Sequence, residues 1–170
     1  MGAGLTVERV TDELARKRGQ LLMERGLAAV SKGEFAEARK AFQKAAENEL
    51  SADALTYWGW MEHQTGNTFD AIRLCQMAIE LDPDFGNPYN DIGSYMIALG
   101  DPESAIRYLE RAIVAPRYEP RQFPHINLGR IYLAKGLPRK AIEHFKKALE
   151  YAPEDPEVLR TIQNILGTLN

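Results

Sequence analysis

The sequence predicts an all-α solenoid, four stacked helix pairs closed by a C-terminal capping helix. Three observations carry that reading. Gly26, Gly59, Gly93 and Gly129 lie 33, 34 and 36 residues apart, and Gly33, Gly66, Gly100 and Gly136 follow each of them by seven. The same spacings relate Ala38, Ala71, Ala105 and Ala141, then Phe42, Cys75, Leu109 and Phe145, then Ala45, Ala78, Ala112 and Ala148. Apolar residues on both sides of each second glycine recur at three- and four-residue intervals, the period of an amphipathic helix. A fixed period of this length marks repeated units that bury a continuous core only by stacking.

The elements follow in chain order. Residues 1–18 form an N-terminal helical extension, suggested by Val7, Val10 and Leu14; it either runs on into the first repeat helix through Gly19 or stands as a short separate helix. Four repeats follow, at 19–51, 52–85, 86–121 and 122–155. In each, the first glycine lets helix A approach its neighbour closely, and the alanine columns do the same for helix B. Leu22, Leu55, Tyr89 and His125 fill a large-residue column four before that glycine; Trp58, Ile92 and Leu128 precede it, where the first repeat has Arg25. Gly66-Asn67, Gly100-Asp101-Pro102 and Gly136-Leu137-Pro138 combine a left-handed helix stop with a polar cap or a helix-opening proline. Leu81-Asp82-Pro83 and Tyr151-Ala152-Pro153 end the second helices, because proline removes a backbone donor and disfavours helix before it. After Pro156, the stripe Val158, Leu159, Ile162, Ile165, Leu166 and Leu169 predicts a capping helix over 156–170 that covers the last apolar face.

Composition narrows the function. The 170 residues are 45% hydrophobic and 26% charged, with a net charge of -3, so no overall positive field favours nucleic acid or an anionic membrane. Residues 51–85 carry Arg73 against Asp53, Glu62, Asp70, Glu80, Asp82 and Asp84, whereas the stretch from Arg121 onward is rich in Lys and Arg. One cysteine, Cys75, leaves no internal disulfide and too few thiols for a cysteine metal site. No apolar run approaches the roughly 20 residues that span a bilayer, and Met1 to Arg18 lacks the apolar core of a secretory signal. The expected location is cytoplasmic. Met1-Gly2-Ala3-Gly4-Leu5-Thr6 matches an N-myristoylation pattern, read here as coincidental.

The repeats resemble the tetratricopeptide repeat family, whose pattern of about 34 residues runs W-x₂-L-G-x₂-Y, A-x₃-F, A, P. The last unit matches in order at His125, Leu128, Gly129, Tyr132, Ala141, Phe145, Ala148 and Pro153, with histidine for tryptophan, and the resemblance covers Gly19 to Asp155. Arg25 in the first pair, Glu62 in place of the aromatic of the second, and two extra residues at the third junction depart from the pattern. The resemblance implies a right-handed superhelix with the first helices lining its concave face. It points residues three before, two before, one after and four after the helix-A glycine into that groove. These are Met23, Glu24, Leu27 and Val30; Thr56, Tyr57, Trp60 and His63; Asn90, Asp91, Ser94 and Ile97; and Ile126, Asn127, Arg130 and Leu133.

The groove suits an extended peptide, since Asn side chains both donate and accept and Tyr and Trp are rigid contact surfaces. Partner binding is expected to centre on Tyr57, Trp60, Asn90, Asp91, Asn127 and Arg130, with Asp91 and Arg130 orienting a polar ligand. Some family members clamp the acidic C-termini of heat-shock chaperones with basic and Asn side chains. Here Met23, Leu27, Tyr57, Asn87 and Asp91 stand at those positions, or Thr56, Trp60, Asp91, Phe123 and Asn127 one repeat on, so no carboxylate clamp is expected.

Nothing in the chain signals catalysis. It has no phosphate-binding glycine loop, no H-E-x-x-H and no G-x-S-x-G. His63, His125 and His144 lack partners at ligand spacing and read as packing or solvated residues, and Cys75 reads as a buried, inert thiol. Glu143, Lys146, Lys147 and Glu150 read as a solvated face, and Pro116–Pro124 as a spacer. No cofactor or metal is expected. The leading function is a non-catalytic adaptor or scaffold binding a protein or peptide partner in the groove. The alternative is a homo-oligomer assembled through stack ends or the convex face.

Overall fold

The computed structural model describes residues 7–168, and the side chains of 9–168. The acylation-like pattern at Met1 to Thr6, the Val7 side chain and Leu169 lie outside the residues so described. Within them are nine α-helices and no strand, with a single parallel bridge between Phe85 and Arg117. The helices belong to two units, Met1–Asp82 and Pro83–Asn170.

The first unit holds α1 (Val7–Ser31), α2 (Phe35–Asn48), α3 (Ala52–Gln64) and α4 (Thr68–Leu81). The helix of the extension does not stop at the first repeat: α1 runs unbroken through Gly19, and Asn48 Nδ2 ties it to α2 by donating to the Ala15 carbonyl at 2.6 Å. Helix α1 packs on α2, α2 on α3 and α3 on α4. Gly26 explains the closeness of the first pair, because a Cβ there would lie 2.3 Å from Phe42 Cε1. Ala29, Ala38, Phe42 and Met61 form a buried cluster flanked by half-buried Met23, Val30, Tyr57, Trp58 and Trp60.

The second unit holds α5 (Asn87–Ala98), α6 (Pro102–Val114), α7 (Gln122–Ala134), α8 (Pro138–Tyr151) and α9 (Pro156–Thr168). Its core joins Ala105 and Leu109 of α6, Leu128 and Ile131 of α7, Phe145 and Ala148 of α8, and Val158 and Ile165 of α9. The capping helix is seated by Asp155, whose Oδ1 accepts from the Val158 N–H at 3.1 Å, and by half-buried Ile162. Its apolar seam is narrower than the sequence stripe, since Leu159 and Leu166 face outward at 41% and 49% exposure.

The in-register columns are the interior of both units. All four alanines of the first column are fully buried, and the Phe42, Cys75, Leu109 and Phe145 column is buried to within 2%. Each A-to-B turn closes on a glycine in the left-handed region, as at Gly66 with φ +89°, a conformation that a side chain disfavours. The caps differ from one turn to the next. Asp101 caps α6 by accepting from the Ser104 N–H at 3.1 Å, but Asn67 does not cap α4; its amide donates instead to Glu62 Oε2 at 2.9 Å.

That diversion explains why Glu62 stands where the repeat pattern has an aromatic. Glu62 is 3% exposed. Its Oε1 accepts from Arg39 Nε at 2.7 Å and from Trp58 Nε1 at 2.8 Å, so one carboxylate ties α2, α3 and the turn into α4 together. Burial raises its pKa, but the bonds from Arg39, Asn67 and Trp58 outweigh that effect and hold it below the usual carboxylate value.

Candidate functional site

The six expected contact residues fall on first helices: Tyr57 and Trp60 on α3 of the first unit, and Asn90, Asp91, Asn127 and Arg130 on α5 and α7 of the second. On α3, the Tyr57 ring stacks on Phe42 with centroids 5.1 Å apart, and Trp60 meets Tyr57 edge-on at 6.4 Å. Both rings are half-buried against the first-unit cluster, so each has one face in packing and the remainder toward solvent. Thr56 does not join them. It is buried, and its hydroxyl donates to the Ala52 carbonyl at 2.7 Å, a back-bond within its own helix.

In the second unit, Asn127 Nδ2 of α7 donates to Asn90 Oδ1 of α5 at 3.2 Å, joining successive first helices through their amides. Asp91, beside Asn90 on α5, is half-buried; burial pushes its carboxyl up to about 7, with a side-chain hydrogen bond from Asn90 the opposing influence. Ile126 is buried and offers no open surface. Arg130 has a partner within the chain. Its Nη2 pairs with Glu157 Oε1 of the capping helix at 2.6 Å, in an ion pair whose two side chains are both exposed.

Sequence reasoning missed Tyr118, which comes from the Pro116–Pro124 junction rather than from a repeat helix. The junction is folded onto the start of α5. The Gly86 N–H donates to the Arg117 carbonyl at 2.8 Å, the Arg117 N–H to the Asp84 carbonyl at 3.0 Å, and Asn87 Nδ2 to the Glu119 carbonyl at 2.9 Å. Tyr118 is 3% exposed, its Cβ 2.5 Å from where a Cβ on Gly86 would lie. Its hydroxyl has no hydrogen-bond partner among the described residues. Burial raises its pKa, and the negative charges of Asp91 and Glu119 raise it further.

His125 and His144 are packing residues, and they pack against each other. His125 Nδ1 and His144 Nδ1 lie 3.4 Å apart, between rings: His125 stacks on Tyr151 and His144 on Tyr132. The partner sits nineteen residues away on the next helix, which spacing along one helix does not show. Burial, then the charge of His144, then that of Lys147 push His125 down to about 4. No group of three or more His, Cys, Asp or Glu side chains able to hold a metal occurs among the described residues.

In the first unit, a cavity of about 480 Å³ lies beside Met23 and Glu24 of α1, bounded also by Gly19, Ala45, Ser51 and Ala54. Among the described residues no helix is long and apolar enough to cross a membrane.

Profiles described as tetratricopeptide repeat match residues 23–84, 87–113 and 124–155, together well over half of the sequence. The chain belongs to the tetratricopeptide repeat family. A curated relative, the BBSome complex member BBS4 of Bos taurus, is 27% identical over 128 residues, which is 57% of this chain and 25% of that protein. The chain thus spans about a quarter of that relative's length. Among solved structures, that of PilF from Pseudomonas aeruginosa superposes with a TM-score of 0.80 at 24% identity, covering 93% of this chain and 70% of that one. YrrB, described as a tetratricopeptide repeat protein with an unusual peptide-binding site, superposes with a TM-score of 0.65 at 21% identity, covering 89% of this chain and 77% of that one. At these identities the structures speak for the fold, an all-α tetratricopeptide repeat solenoid.

Proposed function

We propose that this tetratricopeptide repeat chain is a non-catalytic adaptor or scaffold that holds an extended segment of a protein partner on the faces of its first helices. The observation that carries this reading is the amide pair Asn127–Asn90 with Asp91 beside it. Amide side chains both donate and accept, the chemistry that pairs with the N–H and C=O groups of an extended backbone, and here they link successive first helices. The half-buried aromatic pair Tyr57 and Trp60 gives the first unit a contact surface of its own, of the type enriched at interface centres. A relative that belongs to a named complex, and a structural neighbour described with a peptide-binding site, are consistent with such a role.

Affinity capture from the native source followed by mass spectrometry tests it, with the Asn90→Ala/Asn127→Ala double variant beside the wild type. Capture of a defined protein by the wild type and its loss in the variant, at unchanged helical content, is the expected result. Undiminished capture would move the interface off these helices.

Self-association remains the second reading, favoured by Leu159 and Leu166, which face outward on the capping helix. A mass that falls on dilution and stays at the monomer in Leu159→Glu/Leu166→Glu would support it.

A further inference from the structure

The cavity of about 480 Å³ in the first unit is open because α1 passes the end of α2 at a residue without a side chain. Asn48 Nδ2 holds that end to the Ala15 carbonyl, and one turn further on α1 comes to Gly19. A Cβ on Gly19 would lie 3.4 Å from Glu49 Oε2, so this carboxylate overhangs the gap. Glu24 lines the same cavity from α1, and Met23, Ala45 and Ala54 give it an apolar lining. Glu24 and Glu49 are both exposed, and neither has an ion-pair partner among the described residues. Arg9 and Arg16 border a neighbouring cavity that Glu49 also touches, where Asp12 and Glu13 accompany them. The chain's net charge of -3 belongs to this unit: residues 1–82 hold 13 acidic and 10 basic side chains, whereas 83–170 hold 11 of each. Met23 also flanks the buried cluster together with Tyr57 and Trp60, so the cavity and the aromatic pair are parts of one surface.

We propose that this cavity takes a lysine or arginine side chain of the bound partner segment, its aliphatic stem on Met23, Ala45 and Ala54 and its charged head at Glu24 and Glu49. The inference rests on the adaptor reading above and names the chemistry of the segment that the first unit holds. A long basic side chain fits both halves of the lining, because its methylene stem covers apolar surface while its head, which carries only donors, stays at the wet rim. A neutral apolar side chain would leave the two carboxylates unmatched. An acidic one would meet them with like charge. The N-terminus of α3, which would favour an anion here, is already capped, since Ser51 Oγ accepts from the Ala54 N–H at 3.2 Å and Asp53 lies in the first turn. The residue that makes room is Gly19, which stands inside α1 without a turn to form and at some cost to the helix.

The test uses a positional-scanning library of acetylated, amidated dodecapeptides in which one position at a time is fixed as Arg, Lys, Gln or Glu. Binding to the full chain is read by fluorescence polarisation at pH 7.5. Peptides with Arg or Lys at one position are expected to bind about fivefold tighter than those with Gln there, the scale of two solvent-exposed ion pairs. That preference should vanish in Glu24→Gln/Glu49→Gln and turn toward Glu in Glu24→Lys/Glu49→Lys. Gly19→Leu, which fills the gap and favours the helix, should weaken the Arg and Lys peptides without touching either carboxylate. Glu34→Gln/Glu80→Gln removes the same charge from exposed positions away from the cavity and should keep the preference. All the exchanged carboxylates are exposed, so the variants retain the fold, and circular dichroism checks this. Peptides bound without charge preference, with a preference for Glu, with one that survives Glu24→Gln/Glu49→Gln, or with one lost equally in Glu34→Gln/Glu80→Gln would overturn the inference and leave the adaptor reading standing. No peptide bound at any position would overturn both.

Discussion

At the scale of single residues, two buried polar groups give the molecule its distinctive physics. Glu62 collects donors from three segments, and an amide in its place would keep one acceptor oxygen, lose the charge that pairs with Arg39 and set an NH₂ group against a donor. Glu62→Gln is expected to lower stability by roughly 2–3 kcal/mol, reduced from a fully buried pair because Arg39 is partly exposed. A urea denaturation midpoint within error of the wild type would contradict that role. His125 works in the opposite sense. Its folded pKa of about 4 lies below the unfolded value of about 6.5, so folding favours the neutral ring. The stabilisation is present above pH 6.5 and is lost as the pH falls from there toward 4, by about 2–3 kcal/mol in all. His125→Phe keeps an aromatic in the large-residue column and should show a smaller fall in denaturation midpoint between pH 7 and pH 4.5. An unchanged fall would place the acid sensitivity in the carboxylates instead.

At the scale of elements, the columns of glycine and alanine were legible because each records a contact that recurs from unit to unit. Gly129 would place a Cβ 2.6 Å from Phe145 Cε1, and Gly93 would place one 2.7 Å from Leu109 Cδ2. The extent of α1 was not legible, since Gly19 gives no local stop signal of its own and only Asn48, 33 residues from Ala15, shows the extension to be anchored. The junction at Pro116–Pro124 reads as a spacer because its contacts are made with Asp84, Gly86 and Asn87, far away in sequence. Gly86→Ala tests that docking: the new Cβ meets Tyr118 Cβ at 2.5 Å, and a loss of about 1–3 kcal/mol is expected from overpacking. A variant as stable as the wild type would mean that the junction yields. Removing α9 from Pro156 onward exposes the α8 face that Val158, Ile162 and Ile165 cover. Such a truncation should aggregate at concentrations where the full chain is clear, read by light scattering. Equal solubility would count against the capping role.

For the whole molecule, a solenoid's period shows the fold in the sequence but leaves its binding specificity to single side chains. The helix-A geometry carried by family resemblance put Asn90 and Asn127 on facing helices, and they are hydrogen-bonded. It did not foresee that Arg130 turns to Glu157, that Thr56 bonds back to its own helix, or that Tyr118 arrives from a loop. Each depends on a partner that no repeat column encodes. The central claim is that the first helices form the interaction surface. Hydrogen exchange read by mass spectrometry on the chain with its captured partner, against the chain alone, tests it most directly. Slowed exchange in α5 and α7, and in α3 if the first unit also contacts the partner, is the predicted result. Protection confined to α6, α8 or α9 would contradict the account and place the interface on the second helices or the end of the stack.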